Sequence, residues 1–161
     1  MISPFKVNIA DNLLSDMFLR LRQTRWPDEL KNSGWENGTN LSYMKELCDY
    51  WLHNFAWRKV EAEINLYPNF ITDIDGYKIH FLHIKGKGRR SVPLIISHGW
   101  PGSFLEMMKL IPLLTSDTDF SFDLVIPSIP GFGFSEKITS TGCNSRFAAR
   151  IWHKLMNELG Y

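Results

Sequence analysis

Apolar residues recur along this chain with two periods, and the change from one to the other divides it. From Asp11, Leu14, Met17, Phe18 and Leu21 fall on one side of a helix, which should end near "TRWPD" because Pro27 disfavours helical backbone at Trp26. The Asn- and Gly-rich "ELKNSGWENGTN" reads as an irregular meander, with Trp35 as its anchor. A second helix from about Asn40 carries Leu41, Met44, Leu47, Trp51 and Phe55. Alternation then replaces helical spacing in "FITDIDGYKIHFLHI", and Asp75-Gly76 at its centre predicts a β-hairpin with a two-residue turn. Beyond the basic loop "KGKGRR", short apolar runs alternate with helical patterns, the arrangement of parallel strands and crossover helices. "VPLIIS" and "FDLVIPSIPG" are the buried strands. Ser103 and Glu106 form a capping box opening a helix with Phe104, Met107, Met108 and Ile111 inward, until Pro112 interrupts it. A last helix places Phe147, Ile151, Trp152, Leu155 and Leu159 on one face and closes at Gly160. The expected division is a helical and meander region over 1–68, followed by an α/β portion over 69–161.

Composition narrows the function classes. Lys+Arg 18 against Asp+Glu 17 gives a net charge of +1, too little for a nucleic-acid partner. No window approaches the roughly 18 apolar residues of a spanning helix, and the N-terminus lacks a signal-peptide block, so a cytoplasmic location and no membrane segment are expected. Cys48 and Cys143 show no paired spacing and read as free thiols.

One corner carries candidate chemistry. In "LIISHGWPGSFLEMM" an apolar strand runs straight into His98-Gly99-Trp100-Pro101-Gly102 and then a helix. Such a corner lies at the carboxyl end of a parallel sheet, where these folds place ligands. Gly99 and Gly102 permit close backbone approach, Pro101 removes a donor and fixes the turn, with a cis Trp100-Pro101 bond as one way to do so. Amide N–H groups held there can stabilise an oxyanion. The physics alone leaves equally open a Gly/Pro-rich turn without chemistry. Other motifs are weaker. "PGFGFSE" lacks the third glycine of a dinucleotide fingerprint, and its Gly131, Gly133 and Ser135 stand in the wrong frame for a serine-hydrolase elbow. His80 and His83, three apart in a strand, point to opposite faces and share no metal. "KGKGRR" reads as a solvated loop in preference to a phosphate site, Glu61 and Glu63 are badly spaced for a shared acid/base pair, and Trp26, Trp35, Trp51 and Trp57 read as anchors more than as a ligand cage.

"HGWPGS" after an apolar strand, with "PSIPGFGFSE" about thirty residues later, resembles the epoxide hydrolase branch of the α/β-hydrolase fold. "LRLRQTRWPD", "LCDYWLHNFAWRKVEAEIN" and "YPNFITDIDGYKIHFLHI" are similar to the N-terminal region of microsomal-type epoxide hydrolases, so the resemblance covers nearly the whole chain. It implies an α/β fold: an N-terminal helical meander plus the first strands and helices of an α/β-hydrolase core, a mixed, mostly parallel and incomplete sheet. It implies a small-molecule epoxide substrate, no metal or organic cofactor, and a two-step reaction through a covalent carboxylate ester. On these residues it assigns the Trp100 backbone N–H to the oxyanion hole and its indole to the pocket wall, with His98, Gly99, Pro101 and Gly102 as structural members of the motif. The family's nucleophile stands in a G-G-D-W-G-like elbow, and nothing of that form occurs up to Tyr161. The expectation is an N-terminal portion of such an enzyme, inactive alone and prone to self-association through its incomplete sheet. A non-enzymatic binding module and a dehalogenase-like hydrolase are the alternatives.

Overall fold

The computed structural model describes residues 1–161. Five strands form one sheet in the order β1-β2-β3-β5-β4, comprising β1 (Ser3–Phe5), β2 (Asn69–Ile74), β3 (Tyr77–Ile84), β4 (Arg90–Ile95) and β5 (Phe120–Pro127). The sheet is mixed, and its one parallel pairing is β4 with β5. The hairpin and β1 make the other pairings antiparallel, so within these residues the parallel character expected is confined to the two strands joined by a crossover.

The Asp75-Gly76 turn is as the pattern requires, with φ of 55° and 80° and Ile74 paired to Tyr77. Two positive φ values match a turn to the twist of its strands, and Gly76 N–H donates to the Asp73 carboxylate at 3.1 Å. Strand β1 was not foreseen, because three residues carry no readable period. Its neighbour Val7 is held by Asn65, which accepts from the Val7 N–H at 2.9 Å and donates to its carbonyl at 2.8 Å.

Alternation along β3 sends side chains to two different cores. Ile79 and Phe81 join Ile74, Val125, Ile151 and Leu155 beneath α5 (Ser145–Glu158). His80 and Leu82 face the opposite way, where His80 meets Phe104 edge-on at 4.9 Å. The capping box at Ser103 is present, but the segment it opens is a 3-10 helix over Phe104–Leu110. Pro112 does not interrupt this element. It stands in the first turn of α4 (Ile111–Thr115), where a missing N–H costs nothing. Compactness groups Met1–Val7 with Glu63–Tyr161 and leaves Asn8–Ala62 as a second unit, so the first seven residues lie with the sheet and not with the helical region expected over 1–68.

In the second unit, α1 (Asp11–Arg22) half-buries the foreseen Leu14, Met17, Phe18 and Leu21. Helix α2 (Leu41–His53) half-buries Leu41, Met44, Cys48 and Leu52, while Leu47 and Trp51 are exposed, so the inward face drifts from the expected one. Asn40 caps it by accepting from the Tyr43 N–H. Helix α2 ends at His53, before the Phe55 that was expected within it, and the chain restarts as α3 (Trp57–Ile64). Glu61 explains the restart: it accepts from the Ile9 N–H at 2.6 Å, from Arg58 at 2.6 Å and from the Trp57 indole at 3.3 Å, while Arg58 also pairs with Asp11. The Ile9 amide bond, with Arg58 and Trp57, lowers the Glu61 pKa against the opposing effect of desolvation. Glu61 is therefore an anchor. No helix of the molecule is long and apolar enough to cross a membrane.

Within these residues β4 lies at the edge of the sheet. Ile96 and Arg90 donate N–H groups to Val125 and Asp119, so even-numbered residues of this strand face β5 and odd-numbered ones face outward. Pro93 therefore stands where its absent N–H would point to the open edge, a recognised way of blunting an edge against another strand. Pro93→Val restores that donor, and sedimentation velocity across a concentration series should show a larger associated fraction than for the parent. An unchanged distribution would mean that the proline does not protect this edge.

Candidate functional site

His98 follows the edge strand and is almost fully buried. Its Nε2 lies 3.0 Å from the Ile129 N–H, which can only donate, so Nε2 accepts and Nδ1 carries the proton to the Gly99 carbonyl at 2.9 Å. Both nitrogens are used, which leaves no free lone pair to take a proton from water. The bond to Ile129 joins the corner to the loop after β5, and Phe132 of that loop packs edge-on against the His98 ring at 6.0 Å.

The Trp100-Pro101 bond is cis. The Trp100 N–H donates to no group of the protein, and the residue is 80% exposed. A Cβ at Gly99 would project into open space, whereas one at Gly102 would lie 2.0 Å from Glu106 Oε1. Gly102 is thus small because the capping carboxylate occupies its flank: Glu106 reaches back to the Ser103 N–H at 3.2 Å. That reason differs from close approach to a ligand.

Beside the corner lies a cleft of about 520 Å³ lined by Ser97, His98, Trp100, Ile129, Phe132, Ile138, Cys143, Phe147 and Trp152 among others, none of them a charged residue. The helix α5 wall, Phe147 and Trp152, read in the sequence only as core positions. These two are half-buried because part of that helix faces the cleft while Ile151 and Leu155 face the sheet. Cys143 also lines it, a place that spacing could not disclose.

Behind the cleft, Ser128 and Ser135 close a buried polar network. Ser135 Oγ donates to the Ser128 carbonyl at 2.8 Å and accepts from the His80 N–H at 3.0 Å, so it offers no nucleophile. Asn69 donates through Nδ2 to the Ile64 and Tyr67 carbonyls, which turns its Oδ1 towards His80 Nε2 at 3.0 Å. His80 therefore donates from Nε2, and its Nδ1 accepts from the Ser128 hydroxyl at 2.8 Å. Burial pushes the His80 pKa down to about 4.

The remaining candidates do not converge on the cleft. His83 faces the other side of β3 and bonds Tyr161. The basic loop spends its amides internally, Gly86 on Asp123, Lys87 on Thr115 and Gly88 on Ser121, leaving no phosphate cradle. Trp35 packs on Tyr43 and Trp51 on Phe55, while Trp57 bonds Glu61, so the tryptophans form no shared cage.

Comparison with known proteins decides what this corner belongs to. The family model described as epoxide hydrolase N terminus matches residues 2–107, and one described as alpha/beta hydrolase fold matches residues 92–161. The chain belongs to the epoxide hydrolase family. It is 42% identical to epoxide hydrolase 1 of Oryctolagus cuniculus over 99% of its own length and 37% of that protein's. Juvenile hormone epoxide hydrolase 1 of Ctenocephalides felis is 39% identical, over 99% of this chain and 36% of that one. The crystal structure of juvenile hormone epoxide hydrolase from the silkworm Bombyx mori superposes on all of this chain, and on 44% of its own, with a TM-score of 0.92 at 33% identity. The chain thus spans well under half the length of these relatives, and within that span the fold is that of the family.

The neutral His80 makes stability depend on pH. The unfolded chain takes up this proton as pH falls through about 6.5, whereas the folded chain resists until about pH 4. Stability from this group is complete above the unfolded value and is lost as pH falls across that window, by roughly 1.4 kcal/mol per unit. Urea unfolding between pH 4 and 7 should show this slope, and His80→Phe should remove it.

Proposed function

We propose that this chain builds the oxyanion-binding corner and one apolar wall of an enzyme that hydrolyses epoxides to vicinal diols. The observation that carries the reading is the Trp100 N–H, unbonded within the protein on a residue that lines an uncharged cleft. In the reaction, a carboxylate oxygen attacks an epoxide carbon, the ring C–O bond breaks, and the released oxygen takes up a proton. Water, losing a proton to a base, then attacks the ester carbonyl, and the tetrahedral oxyanion collapses to free the diol and restore the carboxylate. In this reading the Trp100 N–H donates to that oxyanion, where a donor fixed in advance acts strongly because little water screens it. Its indole, with Phe132 and Trp152, shields the hydrocarbon part of the epoxide.

No Asp or Glu lines the cleft, and both His98 nitrogens are engaged. The nucleophile and the base therefore come from outside this constellation. The chain alone should not turn over styrene oxide, while a version extended through a carboxylate elbow, lid and catalytic histidine should. Turnover by the short chain would overturn this division of labour. Inactivity of a folded extended chain would favour a non-enzymatic binding module. In the active extended chain, replacing the Trp100 amide by an ester linkage removes the N–H and also weakens the Gly99 carbonyl as the acceptor for His98, and kcat should fall by about a hundredfold. An unaffected kcat would remove Trp100 from the oxyanion hole.

A further inference from the structure

The loop between β5 and the segment leading to α5 supplies Ile129 and Phe132 to the corner, yet it has no strand partner along most of its length. It leaves the sheet at Ser128, whose N–H bonds the His80 carbonyl, and returns at Glu136, whose N–H bonds the Lys78 carbonyl. Between these points the backbone bonds itself in tight turns, Phe132 to Ile129 and Ser135 to Phe132. Besides these backbone bonds and the Ile129 bond to His98, one imidazole ties the loop to β2 and to the 3-10 helix. The His80 ring accepts from Ser128, donates to Asn69 of β2, and packs against Phe134 at 5.2 Å and against Phe104 at 4.9 Å. Phe104 is the first residue of the 3-10 helix that follows the Trp100 corner.

A phenylalanine or leucine would fill the same space without desolvating two nitrogens, so packing alone does not account for a histidine. A fully satisfied buried network instead selects one arrangement of the groups it joins. Here the groups joined are the two segments that make the site. No charged side chain bonds or stacks on the ring, whose contacts are Asn69, Ser128, Phe5, Phe104 and Phe134. The space is already full on the Ser128 side, where a Cβ at Gly133 would stand 2.5 Å from Ser128 Oγ.

We infer that His80 is a positioning residue for the oxyanion corner, fixing the Ile129 N–H against His98 through Ser128 and holding the Trp100 turn through Phe104. This rests on the reading that the corner stabilises an oxyanion, but the mechanical coupling can be tested apart from it. Ser128→Ala removes one hydroxyl from the network and leaves the ring in place; His80→Phe keeps the ring's bulk and removes both its bonds. In amide and imidazole nitrogen spectra of the 161-residue chain, each variant should shift the Ile129 and Trp100 amides and the His98 Nδ1–H. Hydrogen exchange at Ile129 should quicken by about tenfold. Ile151→Val, which loosens the core on the other face of the sheet, serves as the control and should leave those signals in place.

Unmoved His98 and Ile129 signals in Ser128→Ala would overturn the coupling, as would equal shifts in Ile151→Val. In the extended enzyme, Ser128→Ala should lower kcat by about tenfold with KM nearly constant, the pattern of a misplaced transition-state contact. A normal kcat would overturn the positioning role even where the signals move. If the unsubstituted extended chain shows no turnover, the oxyanion reading fails while the spectroscopic coupling is still decided on its own terms.

Discussion

A buried imidazole that must stay neutral is the constraint from which the rest of this site follows. His80 can keep Ser128 as a donor to Nδ1 only while that nitrogen has no proton, and Asn69 holds the proton on Nε2 because its own amide is committed to two carbonyls. The arrangement has one consistent set of donors and acceptors. A sheet ladder could not provide it, because the loop from Ser128 to Ser135 curves away from the strands. Side-chain bonds therefore replace backbone bonds where the chain leaves regular structure, and His98 repeats the device by receiving the Ile129 N–H.

The sequence made the regular parts legible because their signals are local. Asp75-Gly76 specifies its turn by two residues that tolerate positive φ, and Ser103 with Glu106 specifies a cap within four residues. The α5 face could be read at its full length because fourteen residues sample the helical period four times over. Elements without such repetition were less visible. Strand β1 is too short to alternate, and the break after α2 depends on Glu61 reaching the amide of Ile9, a contact separated by 52 residues. The 3-10 geometry after Ser103 was hidden because its apolar spacing overlaps that of an α-helix.

The site divides along the same line. "HGWPG" is a local motif, and its residues do gather at one corner. The partners that give the corner its form are not local: Ile129 is 31 residues from His98, and Ser128 is 48 from His80. Phe147 and Trp152 read as one stripe with Ile151 and Leu155, and only packing shows that the stripe is shared between the core and the cleft. Periodicity reports that a face is apolar, but not which of two apolar surroundings it enters.

A carboxylate in the middle of β5 is held within a polar cluster away from the cleft. On its own, burial would raise the Asp123 pKa, yet Lys85, Ser91, the Gly86 N–H and Tyr161 all donate to that carboxylate and hold it well below the ordinary range. Asp123 lies four residues before the end of β5, roughly 13 Å along an extended strand from the carboxyl end where the loop begins. Over that distance, and with its charge met by Lys85, it would exert little repulsion on the anion proposed at Trp100. A lone N–H contributes most where no carboxylate competes for it and no nearby negative charge opposes the one it stabilises. The cleft lining carries no charged residue, and the carboxylate that does reach the corner, Glu106, is committed to the Ser103 N–H.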